Sequence, residues 1–406
     1  MSVIGDLDDY GSAARGRQSL RRVAEAYISS QPAKKTTKKT VSNAASTSAK
    51  KTAKTVSKSI LTAETESHTE TRVAVEKIVH MEQSVVMNVV RRPLSPDAKI
   101  EVPTTWAEYE YAQEYLDNEG NNLRFPRLWY DSAGKLATVV AAPTPLHSDM
   151  VAELMGHLTD SCNDVMRLGG ISETIREGVT RSNDTTMRTD TRDGLTIREW
   201  DAAISYAFND DETLMVAFEV GVSQTYNSLR AAISWCVCAL HCRLGIAMNI
   251  TEKDRGERPS IRSYACEQEL NATIQQARDE LRLQLRQHPF GPLKWNNITW
   301  FGKLRKVVIE TFRNEDPNCP PGALLEPTQS FVIVRDGQFS GEDVPPNLNE
   351  IVLGDCVLSH ILSGGEIMTT PLDFFRRSWF EAKIRSAILK TAVRRVGEKH
   401  RMVRAY

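Results

Sequence analysis

LMVAFEVGVSQTY, residues 214–226, is an apolar run of strand-forming residues with one carboxylate, Glu219, set near its end. In a strand, Leu214, Val216 and Phe218 share one face, while Met215, Ala217, Glu219 and Gly221 share the other. Both faces ahead of Glu219 are apolar, the pattern of a central strand covered on each side. A lone ionised carboxylate is costly to bury there, so Glu219 needs a cation, a hydrogen-bonded cap or a metal ion. Asp201, which heads the neighbouring run DAAISYAF (201–208), offers a second carboxylate at the same sheet end. Two carboxylates about 4–6 Å apart repel, and a divalent cation relieves the repulsion. Glu153, on a helix ahead of the strands, is a third acid within reach of that end.

Around this strand the chain reads as one α/β pattern. VPTTWAEYEYAQEYLDNEG (102–120) is a helix capped by Thr104 or Thr105 and ended near Gly120. PTPLHSDMVAELMGHLTDSCNDVMRLGG (143–170) is a second helix: Pro145 lies at its start, Met150, Val151, Leu154, Leu158 and Val165 form its apolar positions, and Gly169-Gly170 stop it. Strand-type runs follow at 173–182 and 194–208, then the strand 214–223, a helix over 226–242 and a strand at 244–252. The order is helix, three strands, helix, strand. Farther on come a long polar helix at 265–289 and a strand at 328–339 with its turn at Asp336-Gly337. Residues 349–362 form a strand or short helix, and the loop 341–350 is expected to be exposed. Residues 101–370 thus form one α/β domain with a mixed central sheet, flanked by a tail and linker (1–100) and a basic amphipathic helix (371–406).

Asp201, eighteen residues before Glu219 in E-V-G-V-S-Q, resembles the paired acids of the PD-(D/E)XK nuclease superfamily, the restriction-endonuclease-like fold. The similarity includes a third strand ending E-V-x-x-S (Glu219, Val220, Ser223), a helix introduced by His147, and the E-V-x-x-S-Q strand of uncharacterised fungal members. It covers residues 140–255, extending toward 365. It implies a metal-dependent nuclease with a restriction-endonuclease-like core, in which Asp201 and Glu219 ligate Mg²⁺ or Mn²⁺ with help from Glu153. The sequence departs from the family where the motif lysine should stand, two residues after the second acid, because Gly221 is there. Gln224 and Arg230 are the candidates to replace it beside the scissile phosphate. Arginine keeps its proton, so Arg230 supplies charge and not a base. The loss leaves two alternatives open: a degenerate nuclease fold acting as a nuclear nucleic-acid-binding regulator or effector, and a protein-interaction scaffold.

Composition narrows the partners. Net charge is −1, but Arg15 to Lys58 holds twelve Lys or Arg against one acid, and residues 32–58 are built mainly from Lys, Thr, Ser and Ala with no aromatic residue, too little apolar area to form a core. Such a segment is expected to be disordered and to bind phosphates or import receptors through its lysine pairs, Lys34-Lys35, Lys38-Lys39 and Lys50-Lys51. The C-terminal stretch 371–406 carries ten Lys or Arg against three acids, with Phe374, Phe375, Trp379, Ile384, Ile388 and Val393 at helical spacing. That pattern predicts a helix docked on the body, whose basic outer face (Arg376, Arg377, Arg394, Arg395) is solvated or meets nucleic acid. The expected partner is therefore DNA, in the nucleus, with a homodimer open. No apolar run of about 18 residues suggests a membrane span, and the first residues lack the apolar segment of a secretory signal.

Rival chemistries fare worse. WCVCALHC (235–242) puts Cys238, His241 and Cys242 on one helical face with no fourth ligand nearby, so buried packing is favoured over zinc. The seven cysteines read as reduced intracellular thiols, Cys319 as a loop thiol, and His147 as a capping or packing group. No P-loop and no dinucleotide-binding glycine motif is present.

Overall fold

The computed structural model describes residues 79–403, except 119–124, 184–185, 192–193, 210, 223–224, 254–255, 257–258, 315, 317–318, 321, 340–350 and 363–364. The lysine pairs of the tail, Ser223, Gln224 and the loop 341–350 therefore lie outside the described residues. Glu70–Tyr406 makes one compact unit.

In chain order, helix α1 (Val85–Val90) precedes β1 (Lys99–Pro103), α2 (Trp106–Asn118), β2 (Arg127–Asp131) and β3 (Leu136–Val140). Next come α3 (Pro145–Leu168), α4 (Glu173–Glu177), β4 (Val179–Asn183), β5 (Thr186–Thr191), β6 (Gly194–Glu199), β7 (Ala202–Phe208) and β8 (Asp211–Val222). They are followed by α5 (Tyr226–Ala239), β9 (Leu244–Lys253), β10 (Arg262–Tyr264) and α6 (Glu267–Gln287). The rest comprises β11 (Leu293–Trp295), β12 (Ile298–Phe301), β13 (Lys303–Phe312), β14 (Gln329–Arg335), β15 (Gln338–Phe339), α7 (Leu353–Cys356), α8 (Gly365–Met368), α9 (Arg377–Lys399) and β16 (His400–Met402). No helix among the described residues is long and apolar enough to cross a membrane.

Local chemistry sets the helix starts. The Thr105 N–H donates to Glu108 Oε2 at 2.8 Å and the Glu108 N–H to Thr105 Oγ1 at 3.3 Å, a reciprocal cap on α2. Thr144 caps α3 by accepting from the His147 N–H, with Pro145 at the first helical position. At Asp336-Gly337 both residues have positive φ, 48° and 73°, the conformation of a tight hairpin turn between β14 and β15.

The architecture is mixed α/β with a mixed central sheet. Seven strands run in the order β15-β14-β13-β9-β8-β7-β4, which places β8 inside the sheet. β8 pairs antiparallel with β7 and parallel with β9, so Glu219 lies beside Ala247. One face carries α3 and α9, with Met150, Leu154 and Leu158 against Phe218 and Val220. The other carries α5, with Leu229, Ile233 and Cys236 against Ala203, Ala217 and Ala247. A bulge opposite Ile204-Ser205 changes the expected alternation of β8. Met215 and Val216 both enter the α3 core, while Leu214 packs on the α5 side, away from Val216 and Phe218.

Several expectations are revised. The run 173–182 divides into α4 and β4, and helix 226–242 stops at Ala239. The run 194–208 breaks at Trp200-Asp201, because β6 belongs to a second sheet, ordered β1-β3-β2-β6-β5. Leu128, Tyr130, Ala137 and Val139 of that sheet pack with Tyr109 and Ala112 of α2.

The C-terminal helix docks as its pattern predicts, with Phe380, Ile384, Ile388 and Val396 fully buried. Many of its cations engage protein partners. Lys383 pairs with Glu153 and Lys390 with Asp149, each at 2.7 Å along α3. Arg394 donates to Pro143 O at 2.7 Å, and Arg395 grips Glu252 with two bonds of 2.7 and 2.8 Å. Arg376 pairs with Asp373, and Arg377 lies 4.4 Å from the Phe339 ring centroid. The Glu252 side chain has no exposed surface. Arg395→Ala should therefore take the guanidinium from a buried carboxylate that keeps the Gly302 N–H, and cost about 3–5 kcal/mol, read by urea unfolding. An unchanged midpoint would show that the pair contributes nothing to the fold.

Candidate functional site

Asp201 stands in the short crossing from β6 to β7. The register Ala202↔Phe218 puts it directly across from Glu219, so both carboxylates arrive at one end of two neighbouring central strands. Asp201 Oδ2 accepts the Val220 N–H at 2.8 Å and bonds His147 Nε2 at 3.0 Å. His147 reaches it because Thr144 and Pro145 start α3 one turn away. The His147 N–H sits in the helix cap, as expected, and its ring bonds Asp201 in addition. His147 Nδ1 is buried without a hydrogen-bond partner.

Glu219 is 1% exposed, and its Oε2 has no hydrogen bond. Its nearest cation is Lys99 of β1, whose Nζ stands 3.9 Å from Oε2 and is likewise buried without a hydrogen bond. The same ammonium lies 4.6 Å from the Trp129 ring centroid, a cation–π contact that helps hold it in place. The second sheet therefore delivers a lysine to the acid pair from a segment more than a hundred residues upstream of Glu219. No spacing rule within 201–230 could have found it.

Environment drives the two carboxylates apart. Burial, then the charge of Asp201, push Glu219 up to about 8 against the pull of Lys99, Arg198 and His147. Burial also works to raise Asp201, but the charge and hydrogen bond of His147, then Lys99 and the Val220 N–H, outweigh it and bring Asp201 down to about 2. Burial alone would lower His147, yet Asp201 and Asp97 raise it.

Beside the pair lies a cavity of about 40 Å³, lined among others by Asp97, Lys99, Trp129, His147 and Asp201. One water needs roughly 10–15 Å³, so there is room for about three. Asp97 is in the left-handed conformation (φ 61°) and gives one oxygen to the Thr144 N–H at 2.7 Å. Its other oxygen is buried and unpartnered. Among the described residues no three His, Cys, Asp or Glu side chains meet the geometry of a metal cluster. What remains is two opposed carboxylates, a donor set that would suit only an ion retaining several waters.

The structure does not bring the remaining candidates to this point. Glu153 is held by Lys383 farther along α3. Arg230 donates to Leu324 O at 3.3 Å and to Leu325 O, and pairs with Glu326. Gln224 lies outside the described residues. Cys236 is buried beside Glu219, and Cys242 is buried with its Sγ 3.2 Å from Met215 O. The reading of all seven cysteines as reduced is corrected by a disulfide between Cys238 and Cys319, whose Cα atoms are 5.5 Å apart. His241 follows the helix with φ 54°, off the face it was expected to share.

No protein-family profile, no curated protein and no solved structure matches the chain.

The raised Glu219 value has a direct consequence. From pH 4.5, its ordinary value, to about 8, the folded protein holds a proton that the unfolded chain has lost. Stability contributed by this group therefore falls as pH rises through that window. Glu219→Gln removes the dependence. In EDTA the variant should melt several degrees above wild type at pH 8.5 and close to it at pH 4.5. Parallel melting curves across that range would rule out a raised Glu219.

Proposed function

We propose that the chain is a metal-dependent phosphodiester hydrolase acting on DNA, built on the nuclease fold its sequence resembles. The observation that carries this reading is the acid pair: two directly opposed carboxylates with divergent proton affinities, beside a buried ammonium that has no hydrogen bond. The element order supports it. With β5 and β6 set aside as an excursion into the second sheet, α3, β4, β7, β8, α5 and β9 give helix, three strands, helix, strand.

Asp201 and Glu219 would hold the cation, with Asp97 near enough to act through water. A divalent ion held by Asp201 and Glu219 would supply Lewis-acid chemistry, polarising a phosphate and lowering the pKa of a bound water. Lys99 supplies the positive charge that Gly221 cannot, next to the position where charge develops on phosphorus. His147 fixes Asp201 in its charged form and orients it. Trp129 and the second sheet exclude bulk water and strengthen each of these interactions. The tail lysines add sequence-independent contact with phosphates and, in this reading, direct the protein to the nucleus.

Lys99 also favours a second reading. An ammonium already beside Glu219 can stand permanently in the cation's place, leaving a nucleic-acid-binding protein on a degenerate nuclease fold.

Cleavage of supercoiled plasmid by the purified full chain separates the two. On the first reading Mg²⁺ or Mn²⁺ supports cutting and EDTA stops it, Asp201→Asn and Glu219→Gln abolish it, and Lys99→Met lowers kcat by about 10²–10³. Binding of Mg²⁺ at pH 7 should also release a proton, since Glu219 must ionise to ligate it. Intact plasmid throughout, with no proton release, would overturn the hydrolase reading and leave the binding protein.

A further inference from the structure

Five exposed cations crowd one end of three adjacent strands: Lys253 on β9, Lys303, Arg305 and Lys306 on β13, and Arg335 on β14. The ladder sets like charge against like, with Lys303 directly opposite Lys253 and Lys306 directly opposite Arg335. Such pairs repel and cost stability. Among the described residues no hydrogen bond and no ion pair engages any of the five side chains. Glu252, next to Lys253, is taken by Arg395, and the exposed Asp336 beyond Arg335 is the one acid left beside them among the described residues.

The backbone builds this cluster. A bulge in the pairing of β13 with β9, between Leu304 and Lys306, adds Arg305 to the ladder. Leu304 therefore stays buried while Lys303, Arg305 and Lys306 all reach solvent, where plain alternation would turn one of the last two inward. The turn at Gly337 passes so close to Lys303 that a Cβ there would collide with the lysine Cε. The cluster also shares a sheet face with the acid pair. Glu219 lies opposite Ala247, the pleat carries Thr251 and Lys253 to the same side as Ala247, and Lys306 lies opposite Thr251. At about 3.3 Å per residue these positions are roughly 13–20 Å from Glu219 along the sheet.

We propose that this cluster binds the phosphate backbone of a nucleic-acid duplex and positions it outside the acid cavity. The proposal rests on reading Asp201 and Glu219 as a phosphodiester site, and the separation is less than one duplex turn of about 34 Å, so a single duplex spans both. Phosphates supply the counter-charge that the protein withholds, and their spacing along a duplex matches a dense cation array. A protein partner fits less well. Interface cores are depleted of charge and rich in aromatic anchors, and no large apolar side chain is exposed on these strand ends among the described residues. The same lack of an exposed ring disfavours a single strand, which is held by stacking.

The test is fluorescence anisotropy of a labelled random-sequence duplex with the full chain in EDTA, across a salt series. Lys306→Gln with Arg335→Gln removes one opposed pair. Arg278→Gln with Arg286→Gln, exposed on α6, removes the same charge elsewhere. The basic tail contributes equally to all three proteins. The first double variant should bind about tenfold more weakly at about 0.15 M salt, with a salt slope shallower by about two. It should melt no lower than wild type, because a repulsion is removed. The α6 variant should bind as wild type does. Wild-type affinity in the first variant, equal losses in both, or a lowered melting temperature in the first would overturn the proposal. So would tighter binding to phosphatidylserine vesicles than to the duplex at equal phosphate. No metal or cleavage enters the measurement. A protein that binds through the cluster but never cuts loses the hydrolase reading alone. One that cuts, with binding unaltered in the first variant, loses the cluster alone.

Discussion

Burying Glu219 is the constraint around which the rest of the site is organised. A carboxylate inside a central strand is expensive whichever form it takes: charged, it lacks water, and neutral, it still has an oxygen to satisfy. The fold answers by degrees. The strand register sets Asp201 opposite Glu219, which adds repulsion and raises the proton affinity of the more deeply buried acid. His147 and the Val220 N–H settle the charge of Asp201. Lys99 arrives from the second sheet to face Glu219 at 3.9 Å, close enough to attract and too far to hydrogen-bond. The balance is incomplete, since unpartnered buried atoms remain on Asp97, Lys99, His147 and Glu219. Polar atoms left unsatisfied cost stability, and those of Asp97, Lys99 and His147 belong to residues lining one small cavity.

Position in the chain explains what the sequence made legible. The strand 214–222, its two partners and the flanking helices follow from short-range signals: apolar period, threonine caps, proline at a helix start. The acid pair followed as well, because register turns a spacing of eighteen residues into a cross-strand contact. Lys99 was hidden, because its proximity depends on how a separate sheet folds over the first, and polar residues 59–100 carry no periodic signal. β13, with the sequence KLRKVVIETF, went unread for a related reason: charged residues at one end obscure a strand whose later residues are buried. The bulge at Met215 was also invisible, so the faces of β8 were assigned correctly only from Val216 onward.

The C-terminal helix shows why a basic composition is a weak guide to a binding surface. Its sequence has the cation excess of a nucleic-acid contact, yet Lys383, Lys390, Arg394 and Arg395 face protein partners. The row runs antiparallel along α3, from Glu153 through Asp149 to Pro143, and clamps the helix that carries His147. The charges thus stabilise the scaffold beneath the site. Of the four arginines expected to meet phosphates, Arg376, Arg377 and Arg394 are exposed, Arg376 engaged by Asp373 and Arg394 by Glu398, while Arg395 is held by Glu252.

Trp129 links the remaining pieces. One indole carries Lys99 at 4.6 Å and Arg198 at 5.4 Å, and it lines the acid cavity. Both cations also act on Glu219, lowering a proton affinity that burial raises. Neutralising either one therefore shifts the same carboxyl upward.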